Sequence, residues 1–206
     1  MNPNWPTNES EVNAVVVVAH PDDETIFCGG TILTYPKWNW HVVCMTWSIS
    51  DDPRGIQFQK AIDFYKSYGV NILSSQCLGK LDHDLSQEEI EDWKTSISRL
   101  NLSPNIVLTH NTEGEYGHPH HKEVNKICNE LFENVWEFIC PGATNVAPQP
   151  FKINIMTIPL TRDVLNKKVE IYNRCYTSEL NNWWNLSDLM LYEFKSGPEI
   201  FTNGSI

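Results

Sequence analysis

The stretch Val15–Gly30, VVVVAHPDDETIFCGG, sets an apolar run directly against a charged turn. Four β-branched residues without polar alternation fit a central parallel strand covered on both faces. They lead into His20, Pro21 and three consecutive acids, Asp22, Asp23 and Glu24. Pro21 imposes an extended or turn geometry, and Gly29 and Gly30 permit close backbone approach in the helix that follows. In open α/β sheets, ligands bind beyond the carboxyl ends of the strands, which is where this turn falls. Carboxylates repel one another and resist desolvation, so three of them beside an imidazole call for a bound cation. His20 and Asp23, three residues apart on a turn, can converge on one ion. Imidazole nitrogen with carboxylate oxygen is a zinc-type donor pair; carboxylates alone suit magnesium better.

Outward from this stretch, apolar β-rich runs alternate with amphipathic segments. The expected strands are 13–19, 41–47, 72–78, 106–110, 136–140 and 152–158. A helix is expected over 29–35. The next, RGIQFQKAIDFYKSYGV, places Ile56, Phe58, Ala61, Ile62, Tyr65 and Tyr68 largely on one face, with Gly69 as its stop. SQEEIEDWKTSISRLNL opens on Ser86 with Glu89 three residues later, a capping box. HHKEVNKICNELFENV and RDVLNKKVEIYNRCY complete the set. This alternation predicts a Rossmann-like, doubly wound α/β fold, its mostly parallel sheet covered by helices on both faces. The expected organisation is a single domain over 1–206, with 1–12 flexible and 141–206 a C-terminal extension that completes it. The Pro/Gly-punctuated loop CPGATNVAPQP opens that extension.

The chain has 206 residues, 41% of them hydrophobic, enough to bury a sizeable core. Its net charge of −11 argues against a nucleic-acid backbone or an anionic membrane as partner. The polar N-terminus does not read as a signal peptide, and no apolar run approaches the roughly 20 residues that span a bilayer. The six cysteines are scattered without a C-x-x-C pair and read as free thiols, so the expected location is cytoplasmic.

Two ligands are too few for tight zinc binding, so a third must come from elsewhere. The segment GEYGHPHHKEV, Gly114–Val124, carries three histidines in four residues, His118, His120 and His121. It follows the strand ending at His110, again at the carboxyl edge of the sheet. Packing alone does not account for such a cluster.

Together, AHPDDE at Ala19–Glu24 and HPHH at His118–His121 resemble the LmbE-like, or PIG-L, family of zinc-dependent de-N-acetylases, over most of the chain to about residue 140. The resemblance implies Zn2+ held by His20, Asp23 and His121, with positions left open for water and substrate. It implies Asp22 as a general base that does not bind the metal. His118, as a cation, would stabilise the tetrahedral oxyanion, with Tyr116 assisting or closing over the substrate. The family commonly has Asp or Asn where this chain has His120, so the usual carboxylate partner of His118 is missing.

On the substrate side, Arg54 matches a family arginine, although Gln57 replaces the Glu expected three residues on. The loop GKLDHDL points to Asp82, with Asp84 competing, as a sugar contact. Trp47 is expected to line the pocket by stacking on a sugar face, whereas Trp183 and Trp184 read as packing residues. His41 and His83 read as surface residues, and His110 as support for the site.

The expected activity is removal of an N-acetyl group from an amino sugar or glycoconjugate, N-acetylglucosamine being the family's sugar. The expected partner is that small molecule, with no nucleic acid and no membrane span; a homo-oligomer stays open. Two rivals remain: a metal-dependent phosphoester hydrolase, and a zinc-containing sugar-binding module without turnover.

Overall fold

The computed structural model describes residues 5–6, 12–48, 52–139, 154–176 and 198–203. The chain runs β1 (Asn13–Val18), α1 (Asp23–Thr34), β2 (Asn39–Thr46), α2 (Pro53–Ser67), β3 (Ile72–Lys80), α3 (Gln87–Arg99) and β4 (Ile106–Thr109). It continues through the short turn α4 (Gly114–Gly117), α5 (Pro119–Leu131), β5 (Val135–Ile139), β6 (Asn154–Ile158), α6 (Arg162–Cys175) and β7 (Glu199–Asn203).

β1 forms because its six residues carry four valines, and it lies at the heart of a seven-stranded sheet of order β3-β2-β1-β4-β5-β7-β6. The first five strands in that order are parallel; β7 runs antiparallel to both β5 and β6. Ala14, Val16 and Val18 pack on one face with Cys28 and Ile32 of α1, Phe58 and Ile62 of α2, and Ile171 of α6. Val15 and Val17 pack on the other face with Trp93 and Ile97 of α3 and with Val124 and Ile127 of α5. Each valine so buried contributes roughly 1.5–3 kcal/mol. The doubly wound fold expected from the sequence is the one observed.

The chain leaves β1 toward β2 and β3 on one side, then returns to place β4 on the other. This reversal opens a crevice at the carboxyl ends of β1 and β4. Both histidine-bearing segments emerge there.

Several local expectations change. α1 begins at Asp23, six residues earlier than expected, so Asp23 and Glu24 occupy its first turn. Ile56 is 52% exposed and lies off the buried face of α2, which is built from Phe58, Ala61, Ile62 and Tyr65. Within the segment expected to be flexible, Trp5 is buried with its ring edge-on to Trp136 at 5.1 Å. The capping box of Ser86 and Glu89 forms. Gly69 ends α2 at φ +86°, a conformation that suits glycine. A Cβ on Gly30 would lie 2.5 Å from Leu160, so this glycine lets α1 pack closely.

β7 was not expected from the sequence. Residues 140–153 and 177–197, including the expected loop 140–150 and Trp183 and Trp184, lie outside the described residues.

Candidate metal centre

Three elements converge at the crevice: the turn after β1, the start of α5 and the turn between them in space, α4. The β1–α1 turn is held by its own side chains. His20 N–H donates to Asp23 Oδ2 at 2.8 Å, and Asp22 N–H donates to Glu24 Oε2 at 3.1 Å. Glu24 is fully buried and also accepts from Thr25 Oγ1 and Tyr176 Oη, so the third acid of the motif braces the turn from beneath.

His20 Nδ1, Asp23 Oδ2 and His121 Nε2 form a nearly equilateral triangle. Its edges are 3.4 Å (His20–Asp23), 3.3 Å (His20–His121) and 3.5 Å (Asp23–His121). Four tetrahedral ligands at about 2.0–2.1 Å from zinc stand about 3.3 Å apart, so these three atoms fit three corners of such a site. The fourth corner is left for water or substrate. Three further observations support the fit.

First, His121 Nδ1 lies 2.6 Å from Glu115 Oε2, which fixes the tautomer and leaves the Nε2 lone pair free. Second, Asp23 keeps its charge. Burial works against it, but His121 and His110 hold its carboxyl well below the usual range. Third, burial lowers the pKa of His20, yet the carboxylates of Asp23 and Asp82 outweigh it and raise it to about 9. The pocket draws positive charge.

Glu115 was not singled out from the sequence. It is buried at φ 55° inside the α4 turn, where Asn111 N–H donates to its Oε1 at 2.9 Å. Its Oε2 serves both His121 and His110, whose Nδ1 is 3.0 Å away. Burial would raise its pKa, but His110 and His121 hold it at about 2. His110 stacks on His121 at 3.7 Å and accepts from Ala19 N–H through Nε2 at 3.0 Å. It therefore ties β1 to β4 and steadies the ligand beside it.

Asp22 sits next to the triangle and is fully buried. Among the described residues its Oδ2 has no hydrogen-bond partner, and Arg54 Nη2 approaches it at 3.3 Å. Burial first, then the charge of Asp23, raises its pKa well above the usual carboxylate value. Arg54 also donates to Pro21 C=O, so it is engaged by the β1–α1 turn. Trp47 lies beneath Arg54, with its ring centroid 5.9 Å from the guanidinium carbon.

His118 is the N-cap of α5; its Nδ1 accepts from His120 N–H at 3.2 Å. Its ring lies 4.7 Å from that of His20 and 4.6 Å from that of His121. Burial and the neighbouring imidazoles His121, His20 and His120 lower its pKa to about 3. The expected cation is therefore disfavoured. A neutral ring whose Nδ1 accepts must carry its proton on Nε2, and it still donates. Tyr116 packs edge-on to His118 at 5.9 Å and to His121 at 5.4 Å. Burial and the charges of Asp23 and Asp22 push its phenol upward, so it stays protonated.

Of the two competing loop acids, Asp82 reaches the site, with Oδ1 3.4 Å from His20 Nε2. His120 also lies there, its Nδ1 3.2 Å from His20 Nε2. His83 contributes its backbone carbonyl, on which His120 Nε2 donates at 2.7 Å. His41 is away from the site, paired with Ser74.

A buried histidine–carboxylate triangle at the switch point of a doubly wound sheet has the donor set and spacing of a metal centre. The family description PIG-L, GlcNAc-PI de-N-acetylase, matches residues 15–132, more than half of the chain, and the chain belongs to this family. A protein of Acanthamoeba polyphaga mimivirus is 26% identical over 133 residues, covering 59% of this chain and 58% of that protein. A 1D-myo-inositol 2-acetamido-2-deoxy-alpha-D-glucopyranoside deacetylase of Thermobispora bispora is 23% identical over 189 residues, covering 75% of this chain and 61% of that enzyme. The chain thus spans less than two thirds of the length of these relatives. The zinc-inhibited form of a teicoplanin deacetylase has the same fold, with a TM-score of 0.64 at 14% identity over 92% of this chain and 97% of that one. No helix among the described residues is long and apolar enough to cross a membrane.

Proposed function

We propose that this protein is a zinc-dependent hydrolase that removes an N-acetyl group from an amino sugar or glycoconjugate. The observation that carries the reading is the triangle of His20, Asp23 and His121 with the buried carboxylate of Asp22 beside it. The family supports the reaction class, and the Thermobispora relative, a deacetylase of an acetamido sugar, supports the substrate class.

His20, Asp23 and His121 would hold the ion, which when bound polarises a carbonyl and lowers the pKa of water to about 7. Asp22 takes the proton of the attacking water. Among the described residues its Oδ2 takes no hydrogen bond, and Arg54 keeps the carboxylate in place. His118 donates from Nε2 to the amide oxygen as charge develops there, acting as a neutral donor rather than a cation. The Tyr116 hydroxyl is a second donor. Asp22 then passes its proton to the departing amine. Asp82, one-third exposed at the rim, accepts from a sugar hydroxyl, and Trp47 lies under Arg54 on the substrate side. A phosphoester hydrolase would use cationic side chains aimed at phosphate, but Arg54 is committed to Asp22 and Pro21.

The test is metal analysis together with acetate release from a panel of N-acetylated amino sugars, for the parent and for Asp22→Asn. The parent should hold about one zinc per chain and release acetate. The variant should keep its zinc and lose about 10² to 10⁴ in rate. Parental turnover by Asp22→Asn, or no acetate from any sugar, would overturn the reading; sugar binding without release would make the protein a binding module.

A further inference from the structure

His20 has two ring nitrogens, and each stands at the corner of a triangle. The second comprises His20 Nε2, His120 Nδ1 and Asp82 Oδ1. Its edges are 3.2 Å (His20–His120), 3.4 Å (His20–Asp82) and 3.4 Å (His120–Asp82). These match the first triangle and again the roughly 3.3 Å between tetrahedral zinc ligands.

The ligand state of His120 is already set. Its Nε2 donates to the His83 carbonyl at 2.7 Å, so the Nδ1 lone pair is unprotonated and faces His20 and Asp82. Buried Trp93 meets the ring edge-on at 5.3 Å and fixes its plane. A single proton on His20 Nε2 serves this space poorly. It would be shared between two acceptors at 3.2 and 3.4 Å, the first at the long end of the usual range of about 2.7–3.2 Å and the second beyond it. The Asp82 side chain is 33% exposed, which leaves one side open to solvent and to an entering ion.

We infer that the protein has a second divalent-cation site, formed by His20 Nε2, His120 Nδ1 and Asp82 Oδ1 and sharing His20 with the first. Two nitrogens and one oxygen select a zinc-class ion over magnesium or calcium. The inference rests on reading the first triangle as a metal centre. On binding, the ion takes the place of the His20 Nε2 proton, which leaves to solvent, and His20 bridges the two ions as an imidazolate. Nothing is oxidised or reduced. The second ion binds more weakly than the first, because it must displace that proton and one of its ligands is partly solvated. It also occupies Asp82, the carboxylate assigned to the sugar, so excess metal inhibits.

The test begins from protein loaded with one zinc per chain. Added Zn2+ is followed by calorimetry and by metal analysis after gel filtration, in the parent, His120→Asn and Asp82→Asn. The parent should take up a second, weaker equivalent, and each variant should stop at one. Co2+ gives an independent readout. In the parent, the second equivalent should diminish the electron paramagnetic resonance signal of the first through the shared imidazolate, and in the variants it should not. The inference is overturned if the parent saturates at one ion, or if both variants take up the second ion as the parent does. It is also overturned if either variant loses the first equivalent, since the two sites would then not be separable. A parent that holds no zinc at all would instead sink the reading of the first centre, and this inference with it.

Discussion

At Asp22 the backbone and the side chain make opposite demands. Its φ of 115° lies where L-residues with a Cβ are strained, at a cost of about 1–3 kcal/mol, and its carboxylate is buried beside that of Asp23. Neither feature helps folding, and together they hold a carboxylate directly beside the Asp23 corner of the histidine–carboxylate triangle. The strain yields a test that needs no substrate. In most helix or strand settings alanine is more stabilising than glycine, but at Asp22 the order should invert. Asp22→Gly should unfold at higher denaturant than Asp22→Ala, by about 1 kcal/mol or more, because only glycine accepts this conformation freely. Both variants lack the carboxylate, so its electrostatics cancel in the comparison. Alanine at or above glycine would show that the turn relaxes and stores no strain. The residue types here were legible from the sequence, since an imidazole and an acid after a buried strand already imply a cation. The strain was not, because Pro21 marks a turn without fixing the sign of φ at the residue that follows.

Among the elements, the α4 turn shows what local patterns leave out. His121 stands out in the sequence because histidines cluster around it. Glu115 is one acid among many, and its importance comes from a backbone twist at φ 55° that sends its side chain inward. There it accepts from Asn111 N–H and meets the Nδ1 atoms of His110 and His121. Glu115→Gln should therefore weaken zinc binding about 10- to 100-fold without removing a ligand, since a neutral amide oxygen polarises the two imidazoles less than the carboxylate does and the amide NH2 would face the Asn111 N–H. Competition with a chromogenic chelator measures this directly; an unchanged affinity would reduce Glu115 to a folding residue. α1 was legible in position but not in its start. Its first turn is acidic and follows a proline, so the pattern reads as loop until Asp22 is seen to act as the N-cap. His120 is a subtler case. Its departure from the family's residue type was visible, but its nearness to Asp82 depends on a loop from another strand.

At the scale of the molecule, the parallel core was readable because β1, β2, β4 and β5 carry apolar runs and alternate with helix segments bounded by caps and glycines. β7 was not, since EIFTN begins and ends on polar residues. The structure gives Glu199, its first residue, a role no sequence window could reveal, 169 residues from its partner. It accepts from Gly30 N–H at 2.7 Å, from Thr31 N–H at 2.6 Å, and from Lys168 Nζ of α6 at 2.6 Å. Lys168 Nζ also donates to Ile26 C=O at 2.8 Å. Ile26 C=O and Gly30 N–H are the two ends of one i→i−4 helix rung, so a buried ion pair engages α1 in mid-helix and joins it to β7 and α6. The helix so held is the one whose first residue is Asp23. Removing one partner of such a pair strands a charge in the interior, which costs more than the pair contributes net. Glu199→Ala should therefore lower the unfolding free energy by about 3–5 kcal/mol. Adding Lys168→Met should restore part of that loss, because the stranded ammonium goes with it. Denaturant unfolding of both variants decides the matter. If the double variant is no more stable than Glu199→Ala alone, the lost hydrogen bonds to Gly30 and Thr31, rather than the buried charge, are what hold α1 to the far edge of the sheet.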